Sequence, residues 1–124
     1  MATSTPAKAE LVRRIAQFAA ERPSILAAYL FGSAVQQTLG AESDIDIGLL
    51  FEAPPDVFRV LELQDELTAL LGRQADLVSL NRTSPILAMQ VLKRGEIVFQ
   101  RSERAVREFQ VRTQFACFDL KQVR

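Results

Sequence analysis

Two apolar runs joined by a polar connector constrain this chain more than any other feature. The first run, Ala27-Ala28-Tyr29-Leu30-Phe31, turns at once into Gly32-Ser33. Ten residues follow, and then Asp44-Ile45-Asp46-Ile47 leads into Leu49-Leu50-Phe51. The pattern reads as strand, tight turn, connector and second strand. Residues i and i+2 of a strand share a face. Asp44 and Asp46 therefore project together, their Cα atoms roughly 6–7 Å apart, while Ile45 and Ile47 point the other way, into a core. Two carboxylates converging from one strand repel each other unless a cation lies between them, and hard divalent cations favour oxygen ligands.

A lone Asp-x-Asp is ordinarily a solvated strand edge or a turn. A helix-loop-helix calcium loop is excluded, because it needs Asp or Asn at its fifth position, Gly at its sixth and Glu at its twelfth. Those places hold Gly48, Leu49 and Pro55. The Gly32-Ser33 pair ahead of the acids argues against the solvated edge. Glycine lets a backbone approach a ligand closely, and N–H groups at such a turn bind phosphate oxygens. The stretch thus offers a phosphate cradle beside a metal site.

Gly-Ser, ten residues and Asp-x-Asp resemble the signature of the polymerase-beta-like nucleotidyltransferases. The run from Phe31 to about Leu80 and the short chain look most like the minimal nucleotidyltransferases, and among these the MntA-type antitoxins of HEPN/MNT toxin–antitoxin pairs.

Composition bounds the reading. The 124 residues suit one domain, 1–124, with one core. Hydrophobic content of 48% supports a packed globule, and fifteen basic residues cancel fifteen acidic ones, which gives no general argument for nucleic-acid binding. There is no histidine, which excludes Ser-His-Asp and Cys-His catalysis and His-containing zinc sites within this chain. The single cysteine, Cys117, forms no internal disulfide, so a cytoplasmic setting is expected. Neither a signal-peptide pattern nor an apolar run long enough for a membrane span is present.

Along the chain, Thr5-Pro6 reads as a helix start, with Leu11, Ile15 and Phe18 as its apolar stripe and Pro23 as its stop. Arg13 and Arg14 fall outside that stripe, as solvated charges or as contacts to phosphate or a partner. Ser24–Phe31 and Asp44–Phe51 are the first strands, and the connector from Ala34 to Ser43 has room for a short helical turn. Pro54-Pro55-Asp56 opens a helix of about 15 residues that Gly72 ends, with Val57, Val60, Leu61, Leu67 and Leu71 as its buried face. A third strand spans 75–80, interrupted by Asp76, either a strand-end carboxylate in water or a third acid at the metal site. Ser84-Pro85 starts another helix, bearing Ile86, Met89 and Leu92, that Gly95 ends. Glu96–Gln100 is a short strand with Ile97 and Phe99 on one face. Ser102 caps a last helix to about Gln122. That helix has two stripes: Val106, Phe109, Thr113, Ala116 and Leu120, and separately Val111, Phe115 and Phe118. In so small a domain the second stripe points to a partner. A basic excess from Arg101 to Arg124 would rim that contact. The expected fold is α/β (α+β): a small mixed sheet with helices mainly on one face.

The resemblance implies more. It makes Asp44, Asp46 and Asp76 the metal ligands and catalytic acids, with Asp76 near the acceptor hydroxyl and able to help take its proton. Gly32 and Ser33 would hold the β- and γ-phosphates of ATP. Two Mg2+ ions and transfer of AMP are implied. So is a hetero-oligomer with a HEPN-type ribonuclease toxin, silenced by AMP on a tyrosine. The chain departs from the pattern at Gln36-Gln37, where relatives commonly carry Arg-Gly. A neutral amide supplies no charge-assisted bond to triphosphate, so weaker nucleotide binding or turnover is expected. Two other functions fit the same residues: a non-enzymatic antitoxin that masks its partner, and a nucleotidyltransferase acting on a small molecule such as an antibiotic. The second of these lacks any obvious second substrate domain.

Overall fold

A computed structural model describes residues 8–32 and 44–122 of the chain. Eight elements follow one another: α1 (Lys8–Ala20), β1 (Ile25–Phe31), β2 (Ile45–Phe51), α2 (Val57–Leu71), β3 (Ala75–Ser79), α3 (Pro85–Arg94), β4 (Glu96–Gln100) and α4 (Glu103–Gln122). The strands form one mixed sheet in the order β3-β2-β1-β4. β1 runs antiparallel to both β2 and β4, and β3 runs parallel to β2 with Asp46 beside Asp76.

Strand alternation divides the core. Ala28, Leu30, Ile45, Ile47, Leu49 and Leu77 face α1 and α2, where Leu11, Ile15, Leu63, Leu67 and Leu71 close the larger cluster. Ala27, Tyr29 and Leu50 face the other way, against Ala88 and Val91 of α3 and Val106 and Phe109 of α4. The larger core lies on the α1–α2 side, but two helices cover each face, where the sequence pointed to helices mainly on one. The second side is also covered, because Tyr29 and Leu50 are apolar surface that needs burial. Tyr29 stacks edge-on to Phe109, ring centroids 6.2 Å apart.

Helix ends follow local chemistry. The Asp56 carboxylate accepts from the Arg59 N–H at 2.8 Å, and Gly72 closes α2 in the left-handed region at φ 72. Ser84 and Ser102 cap α3 and α4 through their hydroxyls. Asn81 exchanges two hydrogen bonds with the Phe51 backbone, 2.8 and 2.9 Å, and so ties the end of β3 to the end of β2.

Several expectations need correction. On α2, Val57 is 65% and Leu61 49% exposed, while Leu63 is buried: the i, i+4, i+8 line of Leu63, Leu67 and Leu71 faces the sheet, and the helix start overhangs it. On α3 the buried residues are Ala88 and Val91, and Ile86 is exposed. On β4 a register shift opposite Ala28/Tyr29 breaks alternation. Val98 and Phe99 then pack on the larger core together, and Ile97 is left exposed. Arg13 and Arg14 are paired with Glu10. The Thr5-Pro6 start, the 34–43 connector with Gln36-Gln37, and Ser33 lie outside the described residues.

Candidate active site

The sheet brings the acids to one edge. Asp44 immediately precedes β2, Asp46 is its second residue, and Asp76 is the second residue of β3 in register with Asp46. Alternation puts Asp46 and Asp76 on the α3–α4 side, opposite Ile45, Ile47, Ala75 and Leu77, which belong to the larger core. Asp44 is exposed, and Asp46 and Asp76 are half-buried.

The carboxylates are electrostatically coupled. Burial first, then the charges of Asp76 and Asp44, push the Asp46 carboxyl above the usual carboxylate range. Burial, the Asp44 charge and a hydrogen bond with Asp44 do the same to Asp76, and a hydrogen bond from the Gln74 side chain opposes them. Like charges held together disfavour ionisation of each.

Gly32 closes the site from β1. Its φ is +76, the left-handed region that glycine enters without strain. A Cβ at this position would overlap Asp46 Oδ2 and lie 3.2 Å from Asp46 Cγ. The glycine is therefore required twice, for the turn and for the carboxylate lying against it. Asp46 pairs with Phe31, one residue before, so the turn and the acidic strand meet at one point.

An all-oxygen set of crowded carboxylates fits a hard divalent cation. Among the described residues no group of three or more Asp, Glu, His or Cys side chains is placed to hold a metal ion. Mg2+ does not need such a group, since it is usually held by one or two carboxylates together with substrate phosphates.

Sequence reasoning missed three polar residues around the acids. The Gln74 carbonyl accepts from the Ile45 N–H at 3.0 Å, between Asp44 and Asp46. Gln64 and Thr68 of α2 accept from the Leu77 and Ala75 N–H groups, on either side of Asp76. Their only signal in the sequence is the i, i+4 spacing of two polar residues next to the buried Leu63–Leu67 stripe. Arg73, 8% exposed, lies between the Gly72 cap and Gln74 at the same edge, and it too was missed.

Known proteins resemble this chain in sequence and fold. The chain is 38% identical over 74 residues to the protein adenylyltransferase MntA of Shewanella oneidensis; the match takes in 60% of this chain and 53%, about half, of that protein. A toxin–antitoxin structure solved with AMP-PNP is 29% identical, with a TM-score of 0.82 over 90% of each chain. A structure of a tri-AMPylated Shewanella oneidensis HEPN toxin in complex with its MNT antitoxin is 26% identical, with a TM-score of 0.78 over 93% of this chain and 90% of that one. Residues 13–104 match the family described as Polymerase beta, Nucleotidyltransferase. With most of its length so matched, and its acids and glycine turn gathered at one strand edge, this chain belongs to the polymerase beta nucleotidyltransferase family.

Proposed function

We propose that this chain transfers AMP from ATP to a tyrosine of a partner HEPN-type ribonuclease toxin and so acts as its antitoxin. The observation that carries the reading is the coupled set Asp44, Asp46 and Asp76 against the Gly32 turn, in a member of this family. The similarity to an adenylyltransferase and to toxin–antitoxin complexes supports the choice of nucleotide and partner.

In this reading Gly32 and Ser33 hold the β- and γ-phosphates at the turn. Asp44, Asp46 and Asp76 would hold two Mg2+ ions, which when bound activate the attacking hydroxyl and neutralise the leaving pyrophosphate. The acceptor oxygen bonds to the α-phosphorus as the bond to pyrophosphate breaks. Asp76, placed near the acceptor hydroxyl, helps take its proton. Positioning and charge stabilisation supply most of the acceleration, so a chain without histidine is sufficient. The acceptor must come from elsewhere: the single tyrosine, Tyr29, is 2% exposed under Phe109. The exposed stripe of Val111, Phe115 and Phe118 on α4, at 45, 66 and 56% exposure, is the docking surface for the partner. Its basic rim is thinner than the sequence suggests. Arg101 donates to the carbonyls of Ala19, Ala20, Arg22 and Ile25, while Arg104 and Arg107 pair with Glu108 and Glu103. Arg112 makes no ion pair among the described residues. A cytoplasmic setting, where ATP is available, belongs to the same proposal.

The test is incubation of the full chain with a purified HEPN-type partner, labelled ATP and Mg2+. Label on a partner tyrosine, with loss of the partner's ribonuclease activity, is expected. Silencing of the partner without any label would replace the enzyme with a masking antitoxin.

A further inference from the structure

β3 is one of the two edge strands of the sheet. Backbone groups on its open side have no neighbouring strand, and an unpaired buried N–H is costly. α2 supplies the partners. The Ala75 N–H donates to Thr68 Oγ1 at 3.0 Å, and the Leu77 N–H donates to Gln64 Oε1 at 2.9 Å. Gln64 and Thr68 are four residues apart and so lie on one side of their helix. The two residues they hold are the immediate neighbours of Asp76, before and after. On the inner side, the Gln74 carbonyl accepts from the Ile45 N–H at 3.0 Å, and the Leu80 N–H donates to the Leu49 carbonyl at 2.9 Å. The short segment bearing Asp76 is therefore gripped from both edges, and its outer grip consists of two side chains from a helix rooted in the core at Leu63 and Leu67.

Building on the nucleotidyltransferase reading above, we propose that Gln64 and Thr68 are positioning residues: they fix Asp76 relative to Asp44 and Asp46, and through that spacing they set the divalent-cation affinity of the site. Groups one bond removed from metal ligands orient those ligands. Here the orientation acts through the strand backbone, because neither side chain touches the Asp76 carboxylate directly in the hydrogen-bond pattern. A rotation of the strand at residues 75–77 would swing Asp76 away from Asp46, with which it is in register. The other role open to this pair is simple satisfaction of two backbone N–H groups, which affects stability and nothing else.

The experiment measures Mn2+ binding to the full chain by calorimetry, for the wild type, Thr68→Val, Gln64→Met, the double variant and Thr68→Ser. Melting temperature and the Mn2+ dependence of AMP transfer are followed in parallel. Loss of the acceptors is expected to weaken Mn2+ binding about 10-fold, with Thr68→Ser, which keeps its oxygen, restored to within about twofold of wild type. In transfer, kcat falls and the Mn2+ needed for half-maximal rate rises, with KM for ATP little changed. Mn2+ affinity unaltered in Thr68→Val and Gln64→Met, whatever their melting temperatures, overturns the proposal. The single variants keep one grip each, so the test survives if the double variant does not fold. Wild-type chain that binds Mn2+ but transfers no AMP defeats the functional reading alone; wild-type chain that takes no Mn2+ defeats both.

Discussion

On the α1–α2 side of the sheet, Glu10 accepts hydrogen bonds from Arg13 and Arg14, which hold its carboxyl down at about 2, and Arg22 reaches Glu66 at 2.6 Å. On the α3–α4 side, burial and neighbouring carboxylates push Asp46 and Asp76 the opposite way: Asp76 and Asp44 act on Asp46, and Asp44 acts on Asp76. The same side leaves Val111, Phe115 and Phe118 uncovered, and Lys93, Arg94 and Arg112 make no ion pair among the described residues. The α1–α2 face pairs Glu10 and Glu66 with arginines and closes the larger core, although Phe58 at the start of α2 is 78% exposed. The α3–α4 face keeps like charges together at Asp46 and Asp76, an arrangement that suits a cation. Because the acids and the aromatic stripe belong to one side, a partner docked on α4 as proposed would approach the sheet from the side on which the carboxylates project.

The contrast is broken most strongly at the acids. Asp44→Ala with Asp46→Ala should lower AMP transfer by at least the roughly 10²–10⁴-fold typical of a lost catalytic acid or base, while the circular dichroism spectrum is retained. The pH dependence has a definite sign. A carboxyl with folded pKa above its unfolded value binds protons more tightly in the fold, so its ionisation destabilises. In divalent-free buffer, the contribution of Asp46 and Asp76 is lost as pH rises from the ordinary carboxylate value of 3.8 through their raised values. Glu10 acts oppositely: its contribution is present above 4.5 and disappears as pH falls through about 2. Denaturant titrations of Asp46→Asn across acid pH should show a flatter loss toward neutrality than wild type.

Next comes a comparison within one helix. Phe109 is 3% exposed and Phe115 66%. Phe109→Ala should cost about 3–5 kcal/mol of stability. Phe115→Ala with Phe118→Ala should leave the melting temperature nearly unchanged yet weaken the partner complex by about 2 kcal/mol or more per anchor. A large stability loss from the exposed pair would return that stripe to the core. Gly32→Ala is a smaller perturbation in stability, about 1–3 kcal/mol for a non-glycine residue held at positive φ, but it should also displace Asp46 and depress transfer. Glu66→Ala, on the paired side, should cost under about 1 kcal/mol, as exposed ion pairs do, with transfer unaffected.

Much of this was legible in the sequence. The caps at Asp56, Ser84 and Ser102 and the stop at Gly72 were readable because capping is local chemistry. The acidic strand was readable because period-two alternation assigns faces directly. What failed depended on distant atoms. No window around Ile97 reveals the register shift that β1 imposes on β4. On α2 the sequence placed Val60, Leu67 and Leu71 on the core side correctly, but Val57 and Leu61 match a helical period as well as Leu63 does, and only the sheet decides which line is buried. Arg101 read as a surface cation, whereas it fastens the α1–β1 turn across 76 positions of sequence. Gln64 and Thr68 gave no chemical signal, since their role arises only where α2 lies along an open strand.

The buried Tyr29 has a spectroscopic consequence. The chain contains no tryptophan and one tyrosine, and burial raises that phenol to about 12. Excitation at the red edge of indole absorption therefore passes through this protein unseen and lights only a tryptophan-bearing partner, so assembly can be followed on unlabelled material. In alkali the lone phenol becomes an optical clock for the smaller core. While the ring stays buried its phenolate absorbance should grow in near about 12, and a titration moved toward the ordinary value of 10 would report opening of the smaller core.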